Sequence, residues 1–288
     1  MSGPSGPTAP NGPTDRLFGI AEHLLPGVAL DTATLAHGQF HDVVLVPGVA
    51  AVRVARTAAT AAELPRRSEL LRRLDAAGLP FAVPCPLGPV TEVDGSVAVA
   101  VSWVGGVPQE RGTGDPTRLA ALLAALAAVA VDPLADVLAR PYLDRSGRGW
   151  VDVVDDGVLP LLPARWHDEV RRRVDAVLAL PPVPTSLVHC DLVGANVHWL
   201  PSGEPAGVLD WDFAQEFDPA FDAACLAWHG WDVVREAVDA VTYARARTWS
   251  LVFGIEHIGA ALIDREPPAV LDRYVSGTIE WLERTCHP

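Results

Sequence analysis

Residues 187–212 constrain this chain more than any other stretch. Leu187-Val188 lead into His189, Asp191 follows two residues later, and Asn196 comes five after that. Fourteen residues beyond Asn196, a second apolar run, Gly207-Val208-Leu209, ends in Asp210-Trp211-Asp212. Pro201-Ser202-Gly203 between them is a turn signal, so residues 197–200 and 206–209 are predicted to pair as a short hairpin. Such a hairpin carries Asn196 and Asp210 to a common place. The stretch then offers a carboxylate, Asp191, able to accept a proton. It also offers two hard oxygen ligands, the Asn196 amide and the Asp210 carboxylate, of the kind Mg²⁺ takes. Phosphoryl transfer needs such a set: a group that orients or deprotonates the attacking hydroxyl, and oxygen ligands for the ion that bridges nucleotide phosphates. His-x-Asp alone is a common chance match in turns. Both spacings with both apolar lead-ins are much rarer, and they favour the functional reading.

Composition narrows the classes. With 288 residues the chain is long enough for one large domain or for two lobes sharing a cleft. Hydrophobic residues make up 49% and mean hydropathy is +0.21, so a sizeable core is available. The longest apolar run, residues 119–131, is too short to span a bilayer and reads as an Ala-rich helix. The N-terminus carries no basic and apolar targeting pattern. A cytoplasmic protein with no membrane partner is expected. The net charge of −14 repels nucleic acid and attracts a cationic small molecule. The four cysteines, Cys85, Cys190, Cys225 and Cys286, form no CxxC pair, which argues against zinc and for unpaired thiols. Cys190 beside His189 invites a thiol-nucleophile reading, but sequence neighbours in an extended segment point apart.

Taken in order, residues 1–15 are rich in Gly, Pro, Ser and Thr and are expected to be a disordered tail. A short amphipathic helix over 15–25 is stopped by Pro26-Gly27. Three strands are predicted over 28–36, 42–46 and 49–55, joined at His37 to His41 and at Pro47-Gly48. His37 and His41 sit four apart, but a hairpin does not bring them together as a helix would, and they read as surface residues. Residues 57–77 are helical by period, with Pro65 predicted to break the helix and Arg66 to restart it. Residues 97–101 form a buried strand. From Thr117 onward the pattern is helical, most clearly over 166–180, where Val170, Val174, Val177 and Leu178 share a face. Asp218-Pro219 opens a further helix with an N-cap and a first-turn proline.

The motif set His189-Cys190-Asp191 to Asn196, then Leu209-Asp210-Trp211, then Asp218-Pro219-Ala220-Phe221-Asp222 resembles the aminoglycoside phosphotransferase family of small-molecule kinases. Cys190 and Phe217 stand where the family has Gly. The run from Gly38 to Leu45, Ala55-Arg56-Thr57 and the Leu64-Pro65 segment resemble the viomycin and capreomycin phosphotransferase subgroup. The resemblance implies an α+β, bilobal protein-kinase-like fold. A small N-terminal β-sheet lobe with one helix (residues 16–102) would bind nucleotide. A larger, mainly helical lobe (103–288) would carry catalysis and substrate. ATP or GTP with Mg²⁺ would supply the phosphoryl group and a small-molecule hydroxyl would take it, in a monomer or a homodimer. Asp191 would accept or orient the hydroxyl, and Asn196 and Asp210 would bind Mg²⁺. Arg53 on the third strand would hold the phosphates, favoured over Arg56 on the opposite face. Glu69, with Glu63 as the alternative, would hold Arg53. Gly38 would let the first hairpin approach the phosphates, and the backbone of Ser102 and Val104 would meet the purine edge. His189 and Asp222 would shape the catalytic loop, while Asp212, Glu216 and Asp218 would give the acceptor cleft negative charge. The alternatives are a metabolite kinase of the same fold, acting on choline, a sugar or homoserine, and a silent binder of drug or nucleotide.

Overall fold

The computed structural model describes residues 12–38, 40–139, 149–263 and 265–286. The tail expected over 1–15 lies outside the described residues as far as residue 11, and from Pro13 the chain is already helical. The chain forms two compact units. The first comprises Met1–Val107 with Val197–Trp211, and the second comprises Pro108–Asn196 with Asp212–Pro288.

In the first unit, α1 (Pro13–Leu24) precedes β1 (Thr34–His37), β2 (His41–Val46) and β3 (Ala50–Ala55). Then come α2 (Ala58–Ala76), β4 (Thr91–Val93) and β5 (Ser96–Ser102). The five strands form one antiparallel sheet in the order β1-β2-β3-β5-β4. Alternation does the sorting: along β3, Ala50, Val52 and Val54 are buried while Ala51, Arg53 and Ala55 are not. The buried side packs Val44, Val46, Val52, Val54, Ala98 and Ala100 against Leu17, Ile20 and Ala21 of α1. The first strand is shorter than predicted: turns at Pro26-Gly27 and Asp31-Thr32 flank an irregular stretch over 28–30, and the strand begins only at Thr34.

α2 runs unbroken through Pro65, against the predicted restart at Arg66. Thr57 caps it, its Oγ1 accepting from Thr60 N at 3.1 Å. Pro65 is exposed, so the carbonyl it leaves unpaired can turn to water. Leu64, Leu70, Leu71 and Leu74 are all buried. At about 1.5–3 kcal/mol each they outweigh the roughly 3 kcal/mol that an interior proline costs.

β8 (Val197–Trp199) and β9 (Pro205–Val208) form the predicted hairpin, and the two-residue β6 (Val107–Pro108) completes a small sheet in the order β6-β8-β9. Ala82 ties the hairpin to the first unit, its N–H donating to Ala206 O and its C=O accepting from Val208 N, both at 3.0 Å. Gly207 makes this close approach possible: a Cβ there would lie 2.6 Å from Ala82 O and 2.4 Å from Val104 Cγ1.

The second unit is mainly helical. It contains α3 (Pro116–Ala127), α4 (Trp150–Val153), α5 (His167–Leu178), β7 (Ser186–Val188), β10 (Gln215–Phe217) and α6 (Ala220–Cys225). α7 (Trp231–Ala237), α8 (Ala240–Trp249), α9 (Phe253–Ile263) and α10 (Pro268–Thr285) follow. Two buried arginines pin helices together. Arg173 on α5 bonds Glu169 at 2.6 Å and Thr285 Oγ1 at 2.9 Å, and it lies 4.4 Å from the ring centre of Trp281. Arg245 on α8 bonds Asp218. Among the described residues no helix is long and apolar enough to cross a membrane.

Candidate active site

The second unit holds the His-x-Asp loop. β7 is buried along its length and pairs antiparallel with β10, Val188 opposite Gln215. The chain leaves β7 at His189, which is fully buried. Asp222 on α6 receives the loop: its Oδ2 accepts from His189 N at 2.8 Å and its Oδ1 from Cys190 N at 2.9 Å. The His189 ring turns back to its own loop, Nδ1 accepting from Asp191 N at 3.2 Å. That contact shapes the backbone, which agrees with the structural role implied for His189.

Asn196 closes the loop from its far end. Its Nδ2 donates to Asp191 Oδ2 and to Asp191 O, both at 2.8 Å. The Asp191 carboxylate is therefore held in one orientation. With Nδ2 committed to Asp191, the metal-ligand atom that the Asn196 side chain offers is Oδ1. Gly194, between the two, lies under Trp228: a Cβ there would fall 2.0 Å from the indole Nε1. Trp228 is held by its Nε1 bond to Gln109 O at 3.3 Å and by Gly112 N, which donates to Trp228 O at 3.0 Å. Gly194→Ala is expected to displace the loop, lowering kcat at least about tenfold and stability by about 1–3 kcal/mol, the usual cost of overpacking. Steady-state kinetics with urea unfolding measures both, and an unchanged kcat would mean that the loop tolerates the shift.

Burial pushes the Asp222 carboxyl up to about 7, against the two amide bonds that pull it down, and the Asp191 charge adds to the rise. The folded-state value lies above the unfolded one, so the folded protein holds a proton that the unfolded chain has lost between about pH 4 and pH 7. Stability from this group therefore falls as pH rises through that window. Urea midpoints should rise from pH 7.5 to pH 5.5 in the wild type relative to Asp222→Asn, and parallel profiles would remove the assignment.

The surroundings of Cys190 do not favour a thiolate. Burial and then the Asp222 charge push its thiol well up, and Gln215 Nε2 donates to its sulfur at 2.7 Å. Its backbone lies in the left-handed region at φ 66°, a conformation that favours Gly. Tyr274 on α10 was not singled out by the sequence; burial and then the Glu266 charge push its hydroxyl up, and the Asp191 charge adds to the rise.

In the first unit, β9 leads into Asp210, whose backbone is also left-handed at φ 57°. The Asp210 side chain is 45% exposed, and its Oδ1 accepts from Arg53 Nη2 at 3.2 Å. The same Nη2 meets His41 Nδ1 at 3.0 Å. His41 is buried, not a surface residue as the sequence suggested, and its partner is Arg53 rather than His37. His37 pairs instead with Asp42 at 2.8 Å.

One expectation needs correcting, and the surroundings of two other expected residues can be described. Glu69 does not hold Arg53: its carboxylate bonds Arg73 at 2.9 Å and Arg72 at 3.5 Å on its own helix, the neighbours that i,i+4 and i,i+3 spacing supplies. Glu63, the alternative, pairs with Arg66 at 2.9 Å in the same way. Gly38 has both backbone groups engaged, its N–H by His41 O at 2.9 Å and its C=O by Arg56 Nη1 at 2.8 Å. Its amide therefore closes the hairpin instead of reaching outward. Ser102 N donates to Cys85 O at 2.7 Å and Ser102 Oγ accepts from Cys85 N at 2.9 Å, so its N–H is spent on the neighbouring segment. The Val104 side chain is buried over Gly207.

The remaining acids are differently placed. Asp218 is buried and accepts from Arg245 Nη2 and Trp249 Nε1, both at 2.6 Å, while its Oδ1 takes Ala220 N at the helix start. Glu216 accepts from Thr185 Oγ1, and Asp212 is buried. None of the three is an exposed, unengaged carboxylate of the kind that would line an acceptor cleft.

Comparison with known proteins bears on the whole arrangement. The family described as "Phosphotransferase enzyme family" (APH) matches residues 31–257. The viomycin phosphotransferase of Streptomyces vinaceus is 30% identical over 220 residues, covering 72% of this chain and 76% of that protein. The GDP and kanamycin complex of the aminoglycoside phosphotransferase APH(2″)-IIIa superposes with a TM-score of 0.74 at 20% identity, over 93% of this chain and 97% of that one. A macrolide 2′-phosphotransferase type I does so with a TM-score of 0.71 at 20% identity, over 94% and 99%.

Proposed function

This chain belongs to the APH phosphotransferase enzyme family, and on that premise we propose that it moves the γ-phosphoryl group of ATP or GTP to a hydroxyl of a small cationic antibiotic of the viomycin and capreomycin class, so conferring resistance. The observation that carries the reading is the Asp191 carboxylate, clamped by Asn196 on a loop hung from Asp222. A binding protein has no need of a carboxylate so fixed. The relative that acts on viomycin supports the acceptor class, and the net charge of −14 suits a cationic one.

In this reading Asp191 accepts the proton of the attacking hydroxyl as the phosphoryl group leaves the nucleoside diphosphate. Arg53, fixed on β3, meets the phosphate oxygens with its planar fork. Asn196 and Asp210 would be the residues that hold Mg²⁺. An amide oxygen and a carboxylate oxygen are hard donors, and Mg²⁺ takes one or two such groups when phosphates complete its shell. When bound, Mg²⁺ would draw charge from the phosphate oxygens. Phosphate oxygens and water would complete such a shell.

The test is a coupled nucleotide-consumption assay with Mg-ATP and Mg-GTP against viomycin, capreomycin, an aminoglycoside, a macrolide, choline and homoserine. Consumption that depends on viomycin or capreomycin is expected. Consumption with choline or homoserine alone would replace the antibiotic reading with a metabolite kinase.

A further inference from the structure

We propose that His41 is a positioning residue, whose Nδ1 holds the Arg53 guanidinium in the orientation that meets nucleotide phosphates. The inference rests on the reading of Arg53 given above and adds the residue that makes it work.

An arginine carries about 2 kcal/mol of rotamer entropy, and its fork gains specificity only when something fixes its plane. The helix acids that were expected to do this are engaged elsewhere, Glu69 with Arg72 and Arg73, and Glu63 with Arg66. Arg53 Nη2 meets Asp210 Oδ1 at 3.2 Å and His41 Nδ1 at 3.0 Å. They differ in what they can keep doing. Asp210 is half-exposed and is the proposed metal ligand, so an arriving cation competes with Arg53 for its oxygens. His41 is 3% exposed, so its ring stays beside Arg53 out of solvent.

The sheet explains the geometry. His41 opens β2 opposite Ala55, and Arg53 lies opposite Val43. His41 and Arg53 therefore share one face as diagonal cross-strand neighbours, within reach of long side chains. The backbone of His41 is fixed by the bond from Gly38 N to His41 O and by the Arg56 N bond to Phe40 O at 3.1 Å. The acceptor is thus mounted on a strand end that is pinned on both sides. To accept from a guanidinium, Nδ1 must carry its lone pair, which places the ring proton on Nε2.

The test is titration calorimetry of Mg-ATP and Mg-GTP, with adenosine and guanosine as phosphate-less controls. His41→Leu removes the acceptor and is expected to weaken Mg-nucleotide binding about tenfold or more, the weight of a hydrogen bond to a charged group, without changing nucleoside binding. His41→Asn places an oxygen near the Nδ1 position and should restore most of the affinity. His41→Gln reaches the Nε2 position instead and should not restore it, so the Asn–Gln pair decides the matter even if the Leu variant fails to fold. In an Arg53→Met background, His41→Leu should have no further effect. Equal losses in His41→Asn and His41→Gln, or a His41→Leu effect that persists without Arg53, would overturn the proposal in favour of simple packing. If Arg53→Met itself leaves Mg-nucleotide affinity intact, the phosphate role of Arg53 is what fails, and that result is distinct from the others.

Discussion

Asp191→Asn is expected to lower kcat by about 10²–10⁴, the weight of a positioned acid–base group, and to leave Mg-nucleotide affinity unchanged. The substitution is chosen for what it preserves. An asparagine at 191 still presents an oxygen to Asn196 Nδ2, and the backbone bonds at Asp191 O and Asp191 N do not involve the side chain. The loop therefore keeps its shape while losing its only charged proton acceptor. Single-turnover kinetics gives the chemical step, calorimetry gives the nucleotide affinity, and thermal unfolding checks the fold. Normal turnover in this variant would remove the catalytic assignment. A loss of nucleotide binding in parallel would mean that Asp191 serves the nucleotide rather than the acceptor.

The largest stability effect is expected at Asp218, whose carboxylate is engaged inside the protein. Its Oδ2 accepts from Arg245 Nε at 3.0 Å, Arg245 Nη2 at 2.6 Å and Trp249 Nε1 at 2.6 Å, and both partners are buried. Asp218→Ala leaves the Arg245 charge buried without its carboxylate, a defect worth about 3–5 kcal/mol in comparable sites. Asp218→Asn, which keeps an acceptor but not the charge, should cost less. Adding Arg245→Leu to Asp218→Ala should recover part of the loss, because no uncompensated charge then remains inside. Urea unfolding followed by tryptophan emission reads all three, with Trp249 as a local reporter. A loss below about 1 kcal/mol in Asp218→Ala would show that Arg245 finds enough in Pro181 O, which it already bonds at 2.8 Å.

The catalytic loop was legible because its chemistry is local. Asp191 and Asn196 stand five residues apart, and the hydrogen bond between them follows from that spacing and a single turn. The β8–β9 hairpin was legible for the same reason. What failed depended on contacts distant in sequence. Glu69 has two arginines within one helical turn, and those local partners won over a strand residue. Ser102 meets Cys85, seventeen residues back along the chain, which no periodicity reveals. His41 looked like a hairpin surface residue because its burial comes from strand pairing, not from its own neighbours. One missed element did carry a signal. Asp94 and Gly95 both have positive φ and join β4 to β5, and Asp-Gly between β-prone residues is a hairpin sign.

The first unit is not one continuous piece of chain, since residues 197–211 return to it after the polypeptide has entered the second. A ribosome finishes Val107 roughly a hundred residues before it finishes Trp211, which at about 5–20 residues per second is a delay of roughly 5–20 s. Through that interval the N–H and C=O of Ala82 wait for Ala206 and Val208. A fragment ending at residue 107 would be arrested in that same unfinished state. Dissecting this protein into halves therefore calls for a circular permutation or a grafted hairpin rather than a cut.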